Sequence, residues 1–144
     1  MNIPQLRSCH ETVGGLVYFG RMLDKIRLHA QGKLPADYLP NLGSGFDGRC
    51  CGFLRVDYAD LVERVKLGGS DEEILQWCFS QGRKPGDGEI ELWNDFMRKR
   101  GWRDDASPWL AKRLQEYGIA HRTDIQTFFD LIDVDEGRPV KTGP

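Results

Sequence analysis

Stop signals recur so often along this chain that no regular element can run far. Its 144 residues include 17 glycines and seven prolines, and between their clusters the apolar residues fall at helical spacing. Leu16, Phe19, Leu23, Ile26 and Ala30 form one stripe, closed by Gly32 and Pro35. Leu61, Val62 and Val65 form another, opened by Asp57 as a cap and ended by Gly68-Gly69. Ser70 with Glu73 has the spacing of a capping box and precedes Ile74, Leu75 and Cys78. Ile90, Trp93 and Met97 lead to Gly101, and Ser107-Pro108 opens a run with Leu110, Leu114 and Tyr117 inward. Thr123 with Gln126 repeats the capping-box spacing ahead of Ile125, Phe128, Phe129 and Ile132. Ser8 with Glu11 does so near the N-terminus and marks a helix start close to Cys9. Asp47 is placed to cap a short helix from Gly48 to Leu54.

No alternating strand pattern stands out, residues 33–46 read as an irregular Pro/Gly-rich loop, and 83–89 as a polar break. The expectation is therefore an all-α chain. It has a single helical domain over residues 1–137, with about six to seven short helices, and a frayed tail over 138–144.

Composition removes several function classes. Twenty Lys and Arg against 22 Asp and Glu give a net charge of −2, which lacks the basic face of a dedicated nucleic-acid binder. No apolar run approaches the roughly 18 residues of a membrane span, and MNIPQLRSCHET has no apolar core of a signal peptide. Cys9, Cys50, Cys51 and Cys78 form no CxxC pair, so free thiols in a reducing, cytoplasmic compartment are expected.

The remaining motifs are weak. Cys50 and Cys51 diverge by about 100° on a helix and Cys78 sits in an apolar stripe, so packing, rather than metal binding, explains them. GSGFDG lacks the phosphate-loop pattern, and DVDEG lacks the twelve-residue calcium loop. RKRGWR supplies the positive charge that a helix C-terminus favours. His10, His29 and His121 have no serine or carboxylate at a telling spacing. No cofactor and no metal is expected.

The informative stretch is RMLDKIR, residues 21–27. Arg21 stands at i,i+3 to Asp24 and i,i+4 to Lys25, and Asp24 and Arg27 flank the apolar stripe. A charge on that margin is either directed to solvent or paired inward. The plain reading is an exposed ion pair. The sharper one is a partly buried cluster with the Asp47/Arg49 pair. Gly14, Gly15 and Gly20 add a hint that something approaches the backbone, unless the helix simply starts after Gly15.

VGGLVYFGRMLDKIRLHAQGKLP, FDGR, VDYADLVERVKLGGSDEEILQW, ELWNDFMRKR and TDIQTFFDLIDVDEG together resemble a bacterial family, domain of unknown function 5069, over most of the chain. The resemblance implies a mainly helical cytoplasmic domain with no assigned activity. Arg21, Asp24, Lys25, Arg27, Asp47 and Arg49 match its characteristic positions, whereas Cys50 and Cys51 stand where larger apolar residues are usual.

Those six residues are the candidate site, for a small anionic ligand or an acidic partner segment, because a guanidinium grips a carboxylate or phosphate with two hydrogen bonds. One alternative is a small enzyme with Asp24 or Asp47 as acid or base, although adjacent cations depress a carboxylate pKa and weaken it as a base. The other is a purely structural cluster that locks the loop 33–46 onto the first helix.

Overall fold

The computed structural model describes residues 2–141. Its element order begins with a small hairpin, β1 (Thr12–Val13) and β2 (Leu16–Val17), followed by α1 (Phe19–Ala30) and a 3-10 helix (Ala36–Asn41). Six helices follow: α2 (Phe46–Leu54), α3 (Tyr58–Lys66), α4 (Asp71–Gln81), α5 (Asp87–Lys99), α6 (Ser107–Glu116) and α7 (Phe128–Asp135). The chain is mostly helical, as its periodicity predicts. No helix among the described residues is long and apolar enough to cross a membrane.

The N-terminal region departs from expectation. Instead of a helix near Cys9 there is an antiparallel hairpin, with Thr12 opposite Val17 and Val13 opposite Leu16. Gly14 and Gly15 both have positive φ, 57° and 82°, as a two-residue hairpin turn requires. Strands of two residues are too short to show alternation in sequence. Ser8, expected as a cap, instead donates its hydroxyl to Asp133 at 2.7 Å. The C-terminal capping box is likewise displaced: Thr127 and Asp130, rather than Thr123 and Gln126, open α7. The Asp57 cap of α3 and the Ser70/Glu73 box of α4 form as expected. Asp47 does not cap α2; Gly45 holds that position, and the Asp47 carboxylate points inward.

α1 organises the molecule. Every residue from Phe19 to Ile26 is buried, so this helix is enclosed rather than half-wetted. It packs on α3 and on β1, while α5 packs on β2 and α7. Phe19, Met22, Leu23, Leu54, Leu61, Ile74, Met97 and Phe129 form the centre of the main core. A smaller core under α6 and α7 gathers Leu110, Ile125 and Leu131. Burying a Leu or Phe side chain contributes about 1.5–3 kcal/mol, which is how these short helices hold together. Backbones also approach closely: a Cβ on Gly20 would meet the Arg7 guanidinium at 2.8 Å, and one on Gly82 would meet the Leu54 carbonyl oxygen at 1.9 Å. Of the tail expected to fray, Arg138 hydrogen-bonds Glu136 at 2.7 Å, Val140 packs against the smaller core, and 142–144 lie outside the described residues.

Candidate functional site

An enclosed helix that carries four charges must pair them, since an unpaired buried charge is costly. α1 pairs all four with residues outside itself. Arg21 donates Nη1 and Nη2 to the two oxygens of Glu136 at 2.7 Å each, with side-chain exposures of 4% and 2%. Lys25 Nζ lies 2.8 Å from Asp47 Oδ1. Both Asp24 oxygens accept from the Arg7 side chain at 2.9 Å, and Arg27 donates to Asp71 at 2.7 Å.

Helical geometry then sorts the candidates into two places. Lys25 lies about 40° around the helix from Arg21, while Asp24 and Arg27 project to the other side. Arg7 bridges Asp24 and Asp71, so Arg7, Asp24, Arg27 and Asp71 form one network that ties the N-terminal segment and α4 to α1. Arg21 and Lys25 face a separate cleft. Asp47 stands behind Lys25, and Arg49 reaches the cleft from α2. The expected single cluster is therefore two clusters, one on each side of the helix.

The cleft has a volume of about 790 Å³, within the range of small-molecule sites. Five cationic and three acidic side chains line it. The acids, Asp37, Asp135 and Glu136, come from the 3-10 helix and the end of α7. The arginines beyond α1 come from elsewhere: Arg49 from α2, Arg100 from the end of α5, and Arg113 from α6. Arg100 is committed to Asp105 at 2.6 Å. Arg49 and Arg113 are exposed and form no ion pair among the described residues; Arg49 lies 5.2 Å over the Phe96 ring. Aromatic rings fill the space between, with Tyr18 edge-on to Phe46 at 5.6 Å and Phe46 edge-on to Phe128 at 6.4 Å. Trp109 and Tyr117 stand at the mouth, 62% and 46% exposed.

At the floor, Tyr18 donates its hydroxyl proton to Asp47 Oδ1 at 2.6 Å and accepts from Lys25 Nζ at 2.9 Å. The second Asp47 oxygen accepts from the Gly43 backbone N–H at 3.1 Å, which fixes the end of the loop 33–46. Burial and the neighbouring Asp47 carboxylate push the Tyr18 phenol well above its ordinary value, so it stays protonated. Tyr18 also carries backbone strain: φ is +74° at the N-cap of α1, a conformation that costs a non-glycine residue on the order of 1–3 kcal/mol. Burial works against both members of the Arg21–Glu136 pair. Their mutual hydrogen bonds prevail, holding Glu136 below its ordinary value and raising Arg21. Tyr38 donates to Glu136 at 2.7 Å and so anchors the 3-10 helix at the cleft wall.

A family model described as a domain of unknown function, DUF5069, matches residues 3–138. The chain belongs to the DUF5069 family. No curated protein matches it.

Within this DUF5069 domain several site residues carried no sequence signal. Arg7 precedes all regular structure, and Glu136 lies within the DVDEG run that reads as an aborted calcium loop. Tyr18, Tyr38, Trp109 and Arg113 look like ordinary core or surface residues until the cleft brings them together. The thiols take no part. All four cysteines are free and buried, and burial pushes Cys9, Cys51 and Cys78 up to about 12. Among the described residues, no three His, Cys, Asp or Glu side chains are grouped to hold a metal ion.

Proposed function

We propose that this chain is a cytosolic binding domain whose cleft holds a small organic anion with a flat, apolar body. The observation that carries the reading is that Arg49 and Arg113 border the cleft without an ion pair among the described residues, while the cations deeper in it are matched by carboxylates. A forked guanidinium grips a carboxylate or phosphate, and aromatic walls favour a planar body. An acidic partner segment would engage the same two arginines at the mouth.

The acid–base alternative has weaker support. Asp47 is fully buried, with both oxygens engaged, and Asp24 is held by Arg7 on the other side of α1. A purely structural role accounts for the four pairs made by α1. It leaves the two mouth arginines without a purpose.

A thermal-shift panel of aryl carboxylates, aryl phosphates and aliphatic dicarboxylates tests the proposal on the wild type and on Arg49→Ala/Arg113→Ala. A ligand at about a hundred times its Kd stabilises by about 2.7 kcal/mol, well within detection. Stabilisation of the wild type by an aryl acid, lost in a double variant of unchanged basal Tm, is expected. No stabilisation by any of these anions would overturn the reading.

A further inference from the structure

We infer that the ligand of this cleft is two-ended, a planar acid whose far end carries an uncharged oxygen acceptor such as a carbonyl, and that Lys25 is the group that selects it. The inference rests on the cleft being an anion site and adds which way round the ligand lies.

Charge in the cleft is sorted by depth. At the floor both cations are already balanced, Arg21 by Glu136 and Lys25 by Asp47, with contacts of 2.7 and 2.8 Å. A second anion placed there would meet two carboxylates as well as two cations, so the floor disfavours a charged ligand end. The mouth differs, because Arg49 and Arg113 are exposed and form no ion pair among the described residues, although the exposed Asp37 and Asp135 line the same cleft. The acid belongs at the mouth.

The floor nevertheless asks for an acceptor. An ammonium has three N–H donors. Lys25 directs one to Tyr18 Oη at 2.9 Å, and its ammonium forms an ion pair with Asp47 Oδ1 at 2.8 Å. Nζ makes no other polar contact among the described residues, although the side chain is only 7% exposed and lines the cleft, so its donors are not all filled. A buried charged donor without an acceptor is costly, so a ligand oxygen that fills this place binds more tightly than an apolar group of the same shape. Tyr18 does not compete for that oxygen as a donor, since its own proton is given to Asp47. Between floor and mouth, Tyr18, Phe46 and Phe128 pack edge-to-face and give the cleft an aromatic wall for a flat body to lie against.

Calorimetry on the intact chain with matched aryl acids tests this. Each pair carries a para acetyl group or its isopropyl counterpart, at benzoate, phenylacetate and phenylpropionate lengths, with the para carboxylate as a third member. In the series whose length fits, the ketone is expected to bind at least about tenfold more tightly than the isopropyl compound and more tightly than the diacid. Lys25→Met/Asp47→Asn, which removes both charges together, is expected to abolish that preference. Equal binding of ketone and isopropyl acids at every length, or a diacid preferred to the ketone, would overturn this inference alone. A preference that survives in the folded double variant also overturns it. Binding of none of these acids would overturn the anion site itself, and this inference with it.

Discussion

Arg21 and Glu136, 115 residues apart in sequence, meet through two parallel 2.7 Å hydrogen bonds in a place where neither side chain is more than 4% exposed. The contact joins the first helix to the residue that follows the last, so the C-terminal end of the domain is fastened to its centre. Tyr38 and Arg138 also donate to Glu136, both at 2.7 Å. Removing one partner leaves the other charged and buried. Arg21→Met is therefore expected to destabilise the fold by about 3–5 kcal/mol in urea denaturation, whereas Arg21→Met/Glu136→Leu recovers most of the loss. If the single variant costs under about 1 kcal/mol, the pair is not the clasp described here.

Arg27 is expected to behave differently. It pairs with Asp71 at 2.7 Å, but the two side chains are 31% and 21% exposed, so solvent screens the contact. Arg27→Ala should cost about 1 kcal/mol or less and leave anion binding intact, because it faces the Arg7 network rather than the cleft. Loss of binding in that variant, with the fold preserved, would show that the two clusters are not separate.

His10 makes stability depend on pH. Neither ring nitrogen has a hydrogen-bond partner among the described residues, and Phe129 meets the ring edge-on at 5.1 Å. Burial holds its pKa below the ordinary 6.5, against the opposing pull of Asp133, whose carboxylate is 3.8 Å from Nε2. The unfolded chain then takes up this proton first as pH falls. The stability tied to neutral His10 is complete above about 6.5 and is lost as pH drops from there toward the folded-state value. Denaturation curves between pH 7.5 and 5 should show the wild type losing more stability than His10→Gln over that interval. Parallel losses in the two proteins would remove His10 as the cause.

The thiols should be silent in the native state. Cys9, Cys50 and Cys78 have no exposure and Cys51 only 5%, and their pKa values are raised by burial. At pH 8 a disulfide reagent such as dithionitrobenzoate is expected to titrate no cysteine rapidly in native protein and all four after denaturation. A rapid native-state equivalent would show that one of them is reactive.

Much of this architecture was legible in the chain because it is local. The apolar period and the Asp57 and Ser70/Glu73 caps place α3 and α4 without reference to the rest of the molecule. The hairpin escaped because two-residue strands carry no period, although Gly14-Gly15 is itself a recognised turn pair. Of the charges of α1, Asp24 and Arg27 were legible on the margin of an apolar stripe, whereas Lys25 projects opposite it and is nonetheless buried. Their partners were not, because Arg7, Asp71 and Glu136 are selected by tertiary packing rather than by spacing. The same limit applies to the cleft: Arg49 was visible beside Asp47, but nothing near Arg113 in sequence marks it as a neighbour.

The central claim, that this cleft takes a flat organic anion, is tested most directly by the indole N–H signals of the four tryptophans in a nitrogen-15 correlation spectrum. Trp109 stands at the cleft mouth, while Trp93 is buried and Trp77 lines a different surface groove. Titration with the aryl acid that stabilises the protein most should move the Trp109 signal to saturation and leave those of Trp77 and Trp93 in place. A saturating shift at Trp77 with Trp109 unmoved, or no saturating shift at all, would contradict the account.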